Sequence, residues 1–193
     1  MPIDPERIEA AVVELLHAIG EDPARAGLAD TPRRIAESYA ELFAGLDEDP
    51  LAHLAASAEF ADEADATGDL VLVRDIAFRS TCEHHLLPFT GVAHLAYAPA
   101  DRIVGLGKLA RVVETLSSRP QLQERLGEQI ADALDAGLAP HGVLVVLDAR
   151  HGCVTARGSR QVESSTVTVA GRGTLADPAA QAGVLALIGG GAS

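Results

Sequence analysis

Apolar residues recur every three or four positions over residues 5–19, where Ile8, Val12, Leu15, Leu16 and Ile19 share one face, so the chain opens with an amphipathic helix. Asp4 is placed to cap it, Pro5 suits its first position and Gly20 its stop. The same cap-then-proline order at Asp30-Thr31-Pro32 starts a second helix, carried through Ile35, Tyr39, Leu42 and Phe43 to Gly45. Between residues 46 and 69 the pattern lapses. Eight acidic and no basic residues lie among alanines, ending in Thr67-Gly68-Asp69, which reads as a mobile or weakly helical connection. At Leu70 the period shortens. Leu70–Arg79 and Gly91–Ala98 read as strands, and residues 107–117 and 120–138 as two helices broken at Arg119-Pro120. Gly142–Ala149 is a nearly continuous apolar strand, a pattern that implies burial on both faces. Cys153–Arg157 and Val162–Ala170 are expected to finish the sheet, and 177–187 to form a short helix before a glycine tail. Two strands, two helices and two or three further strands predict an α+β fold, with helices on one face of an antiparallel sheet. The expected division is a helical region with its acidic connection over 1–69, a main domain over 70–175, and a helix and tail over 176–193.

Composition changes this picture in one respect. A chain of 193 residues can bury a real core as a single domain, but its 48% apolar content includes 35 alanines and only 3% aromatics. A core so poor in large rings points to packing between subunits. Net charge of −13 argues against non-specific nucleic-acid binding and against adhesion to an anionic membrane. An anionic substrate would need the few cations gathered locally, and these are fourteen arginines and a single lysine, Lys108. No stretch approaches the roughly 20 apolar residues of a membrane span. The N-terminal Met-Pro-Ile-Asp-Pro-Glu carries no secretory pattern. A cytoplasmic protein with reduced thiols is the expectation.

The candidate chemistry starts from Cys82-Glu83-His84-His85, a thiolate with imidazoles close behind, which forms a compact clip for zinc. The second cysteine repeats the pairing in His151-Gly152-Cys153, so three of the seven histidines lie within three residues of the only two cysteines. Two cysteines and one histidine would leave a fourth zinc position open for water, with histidines left over for proton transfer. His94, inside a strand, is expected to be a satisfied structural histidine. Gly105-Leu106-Gly107-Lys108-Leu109-Ala110-Arg111 opens a helix with two glycines, and Lys108 and Arg111 project from the same side, which suits an anion. In Gln121-Leu122-Gln123-Glu124-Arg125, a carboxylate beside an amide could accept from the N1–H and 2-amino groups of guanine while the amide reads its carbonyl. Arg157-Gly158-Ser159-Arg160 would bring guanidinium groups near Cys153. Each of the last three motifs, taken singly, is also ordinary helix or strand-end surface.

Four motifs occur in order: Cys82-Glu83-His84-His85-Leu86-Leu87-Pro88-Phe89, Gly-Leu-Gly-Lys-Leu-Ala-Arg, Arg119-Pro120-Gln121-Leu122-Gln123-Glu124-Arg125-Leu126, and His151-Gly152-Cys153-Val154-Thr155-Ala156-Arg157-Gly158. Together with Thr31-Pro32-Arg33-Arg34-Ile35-Ala36 they make residues 30–175 resemble the GTP cyclohydrolase I family. That resemblance implies a tunnelling fold, a four-stranded antiparallel sheet with two helices on one side, assembled as a toroidal homodecamer with active sites at subunit interfaces. It implies conversion of GTP and water to 7,8-dihydroneopterin triphosphate and formate, the first step toward folate-type pterins. Carried across by motif, Cys82, His85 and Cys153 would hold Zn2+, and His84 and His151 would transfer protons. Glu124 and Gln123 would recognise guanine, and Lys108, Arg111 and Arg157 the triphosphate. Two positions depart from the family pattern: Gly107 stands where a serine is common, and Glu37 where a cation would suit the triphosphate. The Gly107 departure leaves two other readings in play, a hydrolase that stops after opening the imidazole ring and a non-catalytic, zinc-stabilised nucleotide-binding oligomer.

Overall fold

The structure is a computed structural model that describes residues 3–55, 58–59 and 70–190. Helix α1 (Pro5–Ala18) is capped by Asp4, whose carboxylate accepts from the Arg7 amide at 3.1 Å. Helix α2 (Thr31–Leu42) packs against it, and two single-turn 3-10 helices follow at Ala44–Asp47 and Pro50–His53. The expected acidic connection is therefore partly regular at its start. Its residues 56–57 and 60–69, and the end of the glycine tail, lie outside the described residues.

A two-residue strand β1 (Ala58–Glu59) precedes the long strands β2 (Val71–Cys82) and β3 (Pro88–Ala98), and pairs with β4 (Arg102–Ile103). Helix α3 (Leu106–Ser117), strand β5 (Pro120–Gln121), helix α4 (Gln123–Leu138) and strand β6 (Gly142–His151) come next. A single-turn helix α5 (Gly152–Thr155), strand β7 (Thr166–Gly173) and helix α6 (Pro178–Gly189) complete the order. The main sheet runs β5-β2-β3-β6-β7. Its four long strands are antiparallel, and β5 adds a two-residue parallel step that sets Gln121 beside Cys82.

Helices α3 and α4 cover one face, where Leu109, Val112, Leu126, Ile130 and Leu134 meet Ala93, Leu95, Val143, Val145 and Leu147. Each large aliphatic side chain so buried contributes about 1.5–3 kcal/mol. On the other face Ala96, Leu144 and Val146 lie under Leu175 and Val184 of the C-terminal segment. Both faces of β6 are therefore buried at that end, which explains its unbroken apolar run. Helices thus lie on both sides of the sheet, α3 and α4 on one and α6 on the other.

Three expectations are corrected. The segment Cys153–Arg157 is not a strand: β6 continues to His151, and the chain then turns through α5. Strand β7 begins at Thr166 rather than Val162, after a loop in which Gly158 and Arg160 adopt positive φ. The expected helix from 120 starts at Gln123, because Pro120 and Gln121 are recruited by the end of β2. On α1, Val12 and Leu16 are buried whereas Leu15 and Ile19 are 57% and 66% exposed. No helix among the described residues is long and apolar enough to cross a membrane.

Candidate metal centre and its surroundings

Cys82 is the last residue of β2, and the turn that follows is built on it: the amides of His85 and Leu86 both donate to its carbonyl, at 3.4 and 2.8 Å. The Cys82 amide donates to the Leu87 carbonyl at 2.9 Å, closing the turn. Leu86 takes a positive φ of 51° at the close of that turn, a strained position for a residue with a side chain. Glu83 is held from outside by an ion pair with Arg125 of α4, whose Nε also donates to Gln121 Oε1 at 3.2 Å. Gln121 is itself buried, donating to the Leu116 carbonyl at 2.9 Å and to Gln129 at 2.8 Å. The clip is thus bolted to the start of α4.

Cys153 reaches the same place from β6. A Cβ on Gly152 would come within 2.8 Å of the Pro88 carbonyl oxygen, so only glycine lets α5 press this closely on β3 and swing the Cys153 sulfur back toward Cys82. One ligand atom each from Cys82, His85 and Cys153 lies within 4.8 Å of the others. Tetrahedral zinc with sulfur at about 2.3 Å and nitrogen at about 2.0 Å separates its ligand atoms by roughly 3.3–3.8 Å. The three donors therefore fit a metal ion with small adjustments, and soft thiolates with an imidazole are a zinc donor set. Burial pushes the Cys153 thiol up from its ordinary range, the neighbouring Cys82 adds to this, and Arg157 opposes it. A bound dication would reverse that balance and take the sulfurs as thiolates.

His151 closes β6 opposite Phe89, and the two rings stack with centroids 4.7 Å apart and planes 3° from parallel. Burial lowers its pKa from the ordinary histidine value, and the Glu124 charge opposes the shift. His84 is exposed, its ring edge-on to His85 with centroids 6.3 Å apart. Glu124 is exposed on the first turn of α4, beside a cleft of about 270 Å³ lined also by Gly127, Glu128, Thr168, Val169 and Ala170. Gln123 turns inward instead, 1% exposed, with its amide engaged by the protein. His94 is the structural histidine expected: buried, its Nδ1 accepts the Asp75 amide at 3.2 Å where β2 bulges.

The cations divide. Arg157 lies near enough to act on the Cys153 thiol. Lys108 occupies the first turn of α3, a 12-residue helix about 18 Å long whose other end leads through Arg119 to β5 and Cys82. Arg111 lines a separate cleft with Glu41, Glu48, His53, Arg79 and Thr115. Lys108 and Arg111 are exposed, and among the described residues neither side chain makes a hydrogen bond or ion pair. One chain therefore does not bring Lys108 to the metal donors. Residues that sequence reasoning left aside are Phe89 under His151 and the Glu83–Arg125 pair. Phe89 had a signal in the scarcity of aromatics, whereas the ion pair had none.

A family model described as GTP cyclohydrolase I matches residues 8–189. The chain is similar to the GTP cyclohydrolase 1 of Leifsonia xyli subsp. xyli (57% identical over 190 residues, 98% of either chain). It is also similar to that of Halalkalibacterium halodurans (54% over 190 residues, 97% of this chain and 98% of the relative). The Bacillus subtilis GTP cyclohydrolase 1 is 52% identical over 179 residues, 92% of either chain.

Proposed function

The chain belongs to the GTP cyclohydrolase I family, and from that premise we propose that it converts GTP and water to 7,8-dihydroneopterin triphosphate and formate at the Cys82–His85–Cys153 centre. The observation that carries the reading is the convergence of those three donors from the ends of β2 and β6, with His84 adjoining His85 and His151 two residues before Cys153. Cys82, His85 and Cys153 would hold zinc, which when bound supplies the Lewis acidity that activates water near neutral pH.

The residues of the chain divide the rest. Opening the imidazole ring adds water at C8, a poor electrophile until N7 is protonated. His151 and His84 are the proton-transfer groups, with His151 held flat by Phe89. An imidazole can accept a proton through its bare ring nitrogen and donate one when protonated. Adding a second water to the resulting formamide releases formate, after which the ribose opens, rearranges to a ketose and condenses with the freed amine, expelling one water so that the net reaction consumes one. Glu124, on the cleft between α4 and β7, accepts from the guanine N1–H and 2-amino donors. Arg157 meets the phosphate end beside Cys153.

Lys108 and Arg111 enter from another copy of the chain. Their distance along α3 from the metal donors and their charge, unpaired among the described residues of a protein of net charge −13, support GTP held across subunits, and the family resemblance makes that assembly a toroidal homodecamer. Holding both ends of GTP fixes C8 between donor and acid. A Cβ at Gly107 would meet open space, so water can occupy the place of the family's common serine hydroxyl. The test is an assay of purified protein with GTP that follows formate and oxidised neopterin together. Equal yields are expected; formate without neopterin would overturn the complete reaction, and no formate would overturn the hydrolysis.

A further inference from the structure

Gln123 sits on the first turn of α4 with its side chain 1% exposed, an unusual place for an amide at a helix start. Its Nε2 faces three acceptors: the Leu147 carbonyl at 3.1 Å, the Thr166 carbonyl at 2.8 Å and Thr168 Oγ1 at 3.2 Å. Backbone carbonyls only accept, so this end of the amide must be the NH2 group, and its two protons are shared among β6 and β7. The amide cannot be flipped without setting a carbonyl oxygen against two others. Its Oε1 therefore points the other way, to His151 Nε2 at 2.7 Å. A carbonyl oxygen only accepts, so Nε2 must carry a proton.

We infer that Gln123 is a positioning residue which locks His151 as the Nε2–H tautomer, so that His151 exchanges protons with substrate through Nδ1. The assignment holds in either charge state, because the proton gained on ionisation goes to Nδ1, and Nε2 continues to donate to Gln123. Nδ1 makes no hydrogen bond among the described residues, and no buried side-chain nitrogen or oxygen there lacks a partner, so Nδ1 is open to solvent. The Phe89 ring fixes the plane in which it points. The same bonds remove Gln123 from base recognition: its amide has no proton left for a guanine carbonyl, and of the two neighbours only Glu124 lines the cleft. The inference rests on the proton-transfer role of His151 proposed above and specifies the atom that performs it.

The tautomer is read directly by solid-state 15N NMR of the assembled, zinc-loaded enzyme labelled in histidine, above the ordinary histidine pKa of about 6.5. The His151 signals are identified by their loss in His151→Asn. Protonated Nε2 with bare Nδ1 is expected; protonated Nδ1 with bare Nε2 overturns the inference whatever the kinetics. Gln123→Met should lower kcat roughly 10–100-fold, the usual effect of an orienting partner, with zinc content kept and the KM for GTP changed less than about threefold. A raised KM with unchanged kcat in Gln123→Met would return Gln123 to base recognition and overturn the positioning role. If His151→Asn leaves kcat unchanged, proton transfer by His151 fails as a reading while the tautomer measurement still stands or falls separately.

Discussion

At the Cys82 end of the sheet the polar side chains behind the metal donors are held by other parts of the same chain, whereas at the Lys108 end the cations stand exposed. Gln121 is tied to α3, and Gln123 to β6, β7 and His151, by bonds of 2.7–3.1 Å. Among the described residues, Lys108 and Arg111 make no such bonds. The difference matches the role proposed for each end. Bond-making chemistry needs groups whose direction is fixed before substrate arrives. Charge attraction acts over several ångströms and tolerates a mobile side chain. Within one chain the structure gathers the first end and leaves Lys108 apart from it.

The comparison can be broken at either end, and the largest effect is expected at the buried one. Replacing Cys153 by alanine removes a donor that no neighbour can replace; metal analysis and turnover should both fall to background. Retention of full zinc in Cys153→Ala would detach the cluster from the metal. Next come His84→Ala and His151→Ala, each expected to lower turnover roughly 10²–10⁴-fold with zinc content unchanged, as measured by steady-state kinetics beside metal analysis. Zinc loss in either would exchange its role with that of His85. At the exposed end, Lys108→Ala should weaken GTP binding roughly 10–150-fold, the effect of losing one charged contact, with kcat and sedimentation unaltered. An unchanged KM would leave Lys108 without a part in the site. The smallest effect is expected at Gly107→Ser, where the side chain enters open space and unfolding free energy should move by less than about 0.5 kcal/mol in denaturant titration. A loss above that would mean that a neighbouring copy closes over α3 there.

The buried end was legible where chemistry is scarce and illegible where geometry decides. Two cysteines each accompanied by histidine mark the donors, since so few residues of either type exist to be placed by chance. The run Gly142–Ala149 announced a strand covered on both faces, and β6 is one. The turn that carries Cys153 was taken for a strand because a four-residue helix is too short to show a period. What bends it is the missing Cβ of Gly152 against Pro88, a contact with a residue far away in sequence. The burial of Gln123 was illegible for a related reason: glutamine on a first helical turn is ordinarily surface, and only the sheet behind α4 turns it inward. Leu15 and Ile19 belong to the apolar stripe of α1 as expected, yet α2 covers only part of that stripe.

The register of β3 against β6 has a consequence for the order in which the molecule is made. The ladder joins residues nearest in sequence at Ala98 and Gly142 and most distant at Phe89 and His151, with α3 and α4 in the intervening chain. Closing the shorter loop first costs less chain entropy, so zippering runs from the Gly142 end and reaches His151 last. Cys82 is presented early by the local β2–β3 hairpin, while Cys153 arrives only when the final rung has formed. A nascent chain thus carries half a donor set through most of its folding, and the complete set becomes the signature of a finished sheet.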